Sequence, residues 1–304
     1  MDLYLPIANL SVNALVIVLL GGGVGLLSGM FGVGGGFLTT PLLIFYGIPP
    51  TVAAASAASQ VTGASVSGVF AHVRRNGVDM HMGLVLVAGG IVGSIAGAGV
   101  FRLLQQSGQI DTVIAVLYVV LLGSIGALML RESLLAIGAV RAGRAPPPRK
   151  RRHHPLVAAL PLRWRFYRSG LYISPLAPLI LGFATGMLTV LLGVGGGFIL
   201  VPAMIFLLGM STQVVVGTSL FQILFVTAAA TMTHALTTKA VDIVLAALLL
   251  LGSVVGAQLG ARFAQRMRPE YLRLALAVMV LLVAVRMFVG LTWRPGEIFT
   301  IEAS

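Results

Sequence analysis

The chain has 304 residues, of which 58% are hydrophobic and only 9% charged, and it contains no cysteine. A soluble domain carries about a quarter charged residues, so this composition excludes a soluble globular protein, and the missing cysteines exclude disulfides and thiolate metal sites. The formal charge of +12 does not indicate nucleic acid as a partner, because most of it is gathered in one internal stretch where membrane topology accounts for it.

Met1 to Asn13 holds Asp2 but no lysine or arginine. The basic n-region of a cleaved signal peptide is therefore missing, and the first apolar segment is expected to stay in the mature protein. Ser11 to Tyr46 is uncharged and is interrupted by Gly21-Gly22-Gly23, Gly25, Gly29 and the run Phe31-Gly32-Val33-Gly34-Gly35-Gly36-Phe37, with Pro41 just beyond. Four glycines in five positions cannot hold a regular helix, since each costs roughly 1 kcal/mol relative to alanine. At 1.5 Å per residue the segment is too long for one perpendicular crossing and too short for two, so a broken helix or a re-entrant hairpin is expected.

Gly47-Ile48-Pro49-Pro50 reads as a turn. Thr51 to Ala71 follows, dense in Ala, Ser and Gly; small residues let helix backbones approach closely in lipid, so this span is expected at the centre. Met82 to Phe101 is the next span, with glycines at 89, 90, 93, 97 and 99, and Asp111 to Leu130 is a plainer Leu/Val span expected at the periphery. From Arg131 to Ser174 ten arginines and lysines face the single acid Glu132, with Pro146-Pro147-Pro148 in the middle. The positive-inside rule makes this a cytoplasmic linker, with anionic headgroups as an additional contact. The pattern then restarts with Pro175 to Leu208, Thr212 to Ala235, Asp242 to Ala261 and Leu272 to Leu291.

A shift of 161 residues lays Gly21, Gly25, Gly32, Gly34, Gly35, Gly36, Phe37 and Pro41 on Gly182, Gly186, Gly193, Gly195, Gly196, Gly197, Phe198 and Pro202. At 162 Gln60 meets Gln222 and His72 meets His234, and at 163 Asp79 meets Asp242 and Gly89, Gly93 and Gly97 meet Gly252, Gly256 and Gly260. The reading is two copies of one unit, a first repeat at 1–130, the linker at 131–174 and a second repeat at 175–304. With the linker inside, the loop carrying Arg262, Arg266, Arg268 and Arg273 is also inside only if each glycine-broken segment enters and leaves on one side. The expected fold is an all-α polytopic membrane protein of two inverted tandem repeats. Each has a glycine-broken helix or re-entrant hairpin and three transmembrane helices, and both termini lie outside.

The stretch Gly25-Leu26-Leu27-Ser28-Gly29 followed by FGVGGGFLTTP, repeated as GVGGGFILVP after a basic linker, resembles the TauE/SafE sulfite exporter family. The Thr218-Ser219 pair and the Val-Asp pairs at 78/79 and 241/242 fit the same pattern, and the likeness spans roughly residues 14 to 130 and 176 to 290. The chain departs from it with Ala57-Ala58 where the second copy has Ser219-Leu220, and with an unusually basic, proline-rich linker. The resemblance implies ion-coupled movement of sulfite, sulfonates or similar anions across a bacterial inner membrane, without a cofactor.

The spans hold almost no charge before Arg286, so an anion bound at mid-membrane must be met by backbone. An opened glycine turn aims several N–H groups at one point, and a helix N-terminus adds about half a positive charge. Gly34, Gly35, Gly36, Gly195, Gly196 and Gly197 are the expected cradle; their alternative role is to permit tight helix crossing. Gln60 and Gln222 either bond the oxyanion or tie helices together, with Ser56, Thr218 and Ser219 as neighbours. Ser28 and Thr189 either join the site or bond back to their own helices. His72 and His234 either carry a coupling proton or rest at the interface. Asp79 and Asp242 are expected helix caps, and Arg286 is expected to snorkel or pair.

Other classes lack their residues. A phosphate-binding loop needs Gly-Lys-Ser/Thr, whereas Gly36 and Gly197 precede phenylalanine, and neither a metal cluster nor a Ser/His/Asp set is visible in the spans. A secondary transporter rather than an enzyme is expected, with a channel or a carrier of another small solute as the alternative.

Overall fold

The computed structural model describes residues 2–31, 35–74, 76–141, 161, 163–210, 212–264 and 269–292. Two short antiparallel hairpins, β1 (Asp2–Leu5) with β2 (Leu10–Asn13) and β3 (Trp164–Phe166) with β4 (Leu171–Ile173), each precede a run of helices. After the first come α1 (Ala14–Phe31), α2 (Gly36–Phe45), α3 (Pro50–Arg74), α4 (Met80–Gln106) and α5 (Ile110–Arg141). After the second come α6 (Leu176–Leu192), α7 (Gly197–Phe206), α8 (Thr212–Thr237), α9 (Ile243–Ala264) and α10 (Pro269–Thr292). Pro50 opens α3, the position at which a missing amide hydrogen costs a helix nothing. The helix α5 runs on to Arg141, so the first eleven residues of the sequence-expected linker continue a helix, and β3 and β4 occupy part of its far end.

Among the described residues five helices are long and apolar enough to cross a bilayer, namely α4, α5, α8, α9 and α10. The sequence reading expected six, and α3 is the one outside the set. Its 25 residues suffice for a crossing, but Ala53, Ala54, Ala55, Ser56, Ala57 and Ala58 are wholly buried. A helix enclosed by other helices needs small side chains more than greasy ones, which lowers its apolar signal.

Helix α1 lies along α9, and α4 along α6, at glycine seams. Gly21, Gly25 and Gly29 face Leu249, Ser253 and Ala257, and Gly89, Gly93 and Gly97 face Leu179, Phe183 and Met187. Residue numbers rise together, so each pair runs in the same direction. By contrast α3 and α8 cross antiparallel, with Ser59 bonded to Thr231 and Thr62 to Thr227 at 3.4 and 2.8 Å.

The short helices fold back. The Asn13 amide donates to Tyr46 Oη at 3.4 Å, and Leu43 and Ile48 share an apolar cluster with Val12 and Ile17, so the end of α2 returns to the start of α1. In the second half Leu200, Met204 and Leu208 cluster with Phe166, Ile173 and Ala177. Left-handed backbone positions recur at the sequence offsets, pairing Asn9 with Gly170, Gly35 with Gly196, Gly47 with Gly209 and Asn76 with Lys239.

Asp79 and Asp242 cap α4 and α9, accepting from Met82 and from Leu245 amides at 3.2 and 3.1 Å. Each also reaches the other half. Asp79 Oδ2 accepts from the Ser169 amide and hydroxyl beside β4, and Asp242 Oδ2 accepts from the Ile7 amide between β1 and β2. Their own amides donate to Thr218 Oγ1 and Ser56 Oγ. The two buried carboxylates thus pin both hairpins over the bundle, a role that a cap alone does not predict.

Candidate helix-break anion site

Helix α6 stops at Gly193, which has φ 70° and donates its amide to Thr189 O at 2.8 Å. Gly195 and Gly196 follow at φ 73° and 74°, and Gly196 is the N-cap of α7. In the first half Gly35, at φ 57°, is the N-cap of α2. L-residues with a side chain rarely adopt this left-handed region, so glycine is what allows the chain to reverse within so few residues. Gly34 lies outside the described residues.

The two breaks meet in the interior. A Cβ on Gly36 would stand 2.9 Å from the carbonyl oxygens of Gly193 and Val194, and one on Gly195 would stand 2.8 Å from Val61 of α3. The rings of Phe37 and Phe198 lie face to face between the two helix starts. Neither N-cap glycine offers a side chain to the helix it opens. Among the described residues the first bond back is made by Leu38 to Gly35 O and by Ile199 to Gly196 O, both at 3.1 Å. The amides of Gly36, Phe37, Gly197 and Phe198 therefore precede the helical ladder, where the partial positive charge of a helix start resides.

Two glutamines flank these starts, each with a threonine from a different place. Gln60 Oε1 accepts from Thr39 Oγ1 of α2 at 3.0 Å. Gln222 Nε2 donates to Thr185 Oγ1 of α6 at 3.4 Å, and Thr185 Cβ lies 3.1 Å from where a Gly196 side chain would begin. Thr40 and Tyr118 both donate to Leu192 O, the last carbonyl of α6. Sequence reasoning missed Thr39, Thr40, Thr185 and Tyr118. Single hydroxyls in apolar helices resemble those that bond back along their own helix, and the only signal was their closeness to the glycine runs.

The remaining expected site residues make the following bonds, and Thr189 keeps its Oγ1 3.4 Å from the Cβ position of Gly196. Ser56 and Thr218 serve the Asp242 and Asp79 amides, Ser219 bonds back to Val216 O at 2.9 Å, and Thr189 bonds back to Thr185 O at 2.7 Å. Ser28 Cβ lies 3.2 Å from the Cβ position of Gly35. The paired histidines differ. His72 is half-buried and bonds Gly68 O of its own helix, whereas His234 is buried, with Nε2 at 2.9 Å from Val190 O of α6 and Nδ1 at 3.3 Å from Thr238 Oγ1. The exposed Arg286 guanidinium sits 5.2 Å over the Phe45 ring. Among the described residues no group of three or more His, Cys, Asp or Glu gathers as a metal site would.

Comparison with known proteins gives one family. Residues 17–287 match the model described as "Sulfite exporter TauE/SafE". The "Probable membrane transporter protein YjnA" of Bacillus subtilis is 29% identical over 268 residues, covering 87% of this chain and 96% of the relative. A "Probable membrane transporter protein" of Xylella fastidiosa is 27% identical over 288 residues, covering 94% of this chain and 97% of the relative. No solved structure matches.

Proposed function

We propose, for a chain that belongs to the sulfite exporter TauE/SafE family, a secondary transporter that carries sulfur-containing anions such as sulfite or organosulfonates across the bacterial inner membrane by alternating access. The anion is held by the backbone amides at the starts of α2 and α7. One observation carries this reading: two helix N-termini without side-chain caps meet in the interior beside buried glutamines. Such ends attract anions, and broken helices at the contact of two halves are where transporters of repeated architecture bind their cargo.

The proposed architecture is two inverted repeats joined by the cytoplasmic linker, with α1–α2 and α6–α7 as re-entrant hairpins. What supports it is the return of α2 to the start of α1 and the parallel pairing of α1 with α9 and of α4 with α6. If α1 and α2 reverse, α4 runs opposite to α1. Its parallel neighbour α6 then does too, so the two halves point oppositely.

Radiolabelled sulfite flux into proteoliposomes tests the transporter class. A carrier saturates and responds to an imposed pH gradient; linear flux indifferent to the gradient would make the protein a channel instead. For the site, Gly35→Ala and Gly196→Ala should abolish flux while leaving membrane insertion intact, because both positions are left-handed. Wild-type rates in both variants would remove the cradle.

A further inference from the structure

The tightest contacts sort the helices differently from their order in the chain. The α1–α9 seam is lined by glycine from both sides, because Gly252, Gly256 and Gly260 face the carbonyls of Val18, Gly22 and Leu26. In the α4–α6 seam Gly182 and Gly186 likewise face the carbonyls of Leu86 and Gly90. Helices in backbone contact over successive turns cannot slide without driving a side chain into a carbonyl.

Helix α3 joins the first pair. Ser56 Oγ accepts from the Asp242 amide, and Leu250 Cδ1 of α9 stands 2.7 Å from where a Gly63 side chain would begin. Helix α8 joins the second pair, with Thr218 Oγ1 accepting from the Asp79 amide and Phe221 Cδ1 at 2.8 Å from the Cβ position of Gly83. The carboxylates close the same groups, Asp242 onto the Ile7 amide and Asp79 onto Ser169.

Contacts between the two groups are of another kind. At the α3–α8 crossing Ser59 meets Thr231 and Thr62 meets Thr227, hydroxyl to hydroxyl. The Ser59, Thr62 and Thr227 hydroxyls also reach carbonyls of their own helices, Ala55 O, Ala58 O and Ile223 O, at 3.3, 2.9 and 2.8 Å. The crossing can therefore part without stranding these hydrogens. Backbone meets backbone between the groups at the helix breaks, where Gly193 faces Ala54 O. One close contact in the middle of a separable interface is a fulcrum.

We infer that the units that rock against each other are β1–β2 with α1, α2, α3 and α9, and β3–β4 with α6, α7, α8 and α4. Helices α4 and α9 are thus exchanged between the halves of the chain. The inference rests on the alternating-access reading above and names its moving parts. Rocking turns about the helix breaks, so the site stays at the fulcrum while the α3–α8 crossing opens toward one end and then the other. The pair α5 and α10 flanks both units, with Tyr118 of α5 on Leu192 O and Arg286 of α10 over Phe45.

The chain has no cysteine, so introduced thiols pair only as intended. Thioether bridges are used because sulfite cleaves disulfides. Full-length Ser59→Cys/Thr231→Cys protein is bridged with dibromobimane, which spans thiols that nearly touch. Ile7→Cys/Ile243→Cys and Arg168→Cys/Met80→Cys place thiols on exposed residues beside the two aspartate latches, and a flexible bis-maleimide bridges each. Radiolabelled sulfite uptake into proteoliposomes is compared with the same variant treated with the matching monofunctional reagent, and mass spectrometry gives the bridged fraction.

The bridge between residues 59 and 231 should lower uptake by about tenfold or more, since it ties parts that must separate in every cycle. The other two bridges join opposite halves of the chain, yet should leave uptake within about twofold, because their ends travel together. Loss of uptake on either of these overturns the inference, for the halves would then move as contiguous blocks. So does a complete 59–231 bridge that leaves uptake unchanged. If that variant does not fold, Thr62→Cys/Thr227→Cys, whose native hydroxyls lie 2.8 Å apart at the same crossing, takes its place, and the two exposed pairs decide on their own. Absence of uptake by the unmodified protein would instead defeat the wider reading.

Discussion

Phe37 and Phe198 stack with their ring centroids 4.5 Å apart and their planes 9° from parallel, and each is the second residue of its short helix. The contact holds two helix starts together, and each start carries about half a positive charge. Like partial charges brought together in a low-dielectric interior repel, so the stacked rings and surrounding packing must oppose that repulsion. An anion between the starts would remove it. The same pair therefore sets the geometry of the proposed site.

A double-mutant cycle of Phe37→Leu and Phe198→Leu should give a coupling of about 0.5–1.5 kcal/mol, the increment of an aromatic pair beyond its area. Thermal unfolding of detergent-solubilised protein measures it. Additive losses would mean that the rings contribute bulk rather than stacking.

The glycine seams should tolerate no side chain. A Cβ on Gly186 would run into Gly90 O and one on Gly256 into Gly22 O. Gly186→Ala and Gly256→Ala are each expected to destabilise by about 1–3 kcal/mol through overpacking. Gly23 and Gly99 also lie in helices but face open space, and alanine there should be neutral or add up to about 1 kcal/mol. Size-exclusion profiles separate the two pairs of variants by their monodisperse fraction.

That contrast shows what the sequence made legible. The glycine runs, the apolar spans and the recurrence of Gln, His and Asp at nearly constant offset could be read directly, because each follows from a local residue type and its spacing. The offsets return in the backbone as matched left-handed positions such as Asn76 and Lys239. Which glycines face a neighbour could not be read, since Gly22, Gly23 and Gly25 look alike until α9 is laid beside them. The hairpins of β1–β2 and β3–β4 were missed because strands this short carry little periodic signal. Ser56 and Thr218, expected as neighbours of the two glutamines, accept from aspartate amides of the opposite half, a pairing set by tertiary contact alone.

The end of α6 offers a test of redundancy. Leu192 O accepts from both Thr40 Oγ1 and Tyr118 Oη, so Thr40→Val or Tyr118→Phe alone leaves it one donor. Each single variant should cost under about 1 kcal/mol, whereas the pair should cost about 1–3 kcal/mol by stranding a buried carbonyl. Chemical denaturation of the three variants in one detergent checks it; a double variant no worse than the sum of the singles would place another donor there.

Proton coupling through histidine should be one-sided. His234 Nε2 must carry hydrogen to meet Val190 O, and Nδ1 faces a Thr238 hydroxyl that also donates to His234 O at 3.0 Å. A proton arriving on Nδ1 finds the Thr238 oxygen as acceptor, so both charge states fit without displacing the ring, and the ring links α8 to the last turn of α6. Among the described residues His72 makes its hydrogen bond to Gly68 O of its own helix. His234→Gln is therefore expected to lower gradient-driven sulfite uptake by at least about tenfold, within the usual range of coupling energies, while sparing sulfite exchange at equal pH. His72→Gln should leave both rates near wild type. Equal losses in both assays for His234→Gln would mean that the histidine holds α6 in place rather than passing a proton.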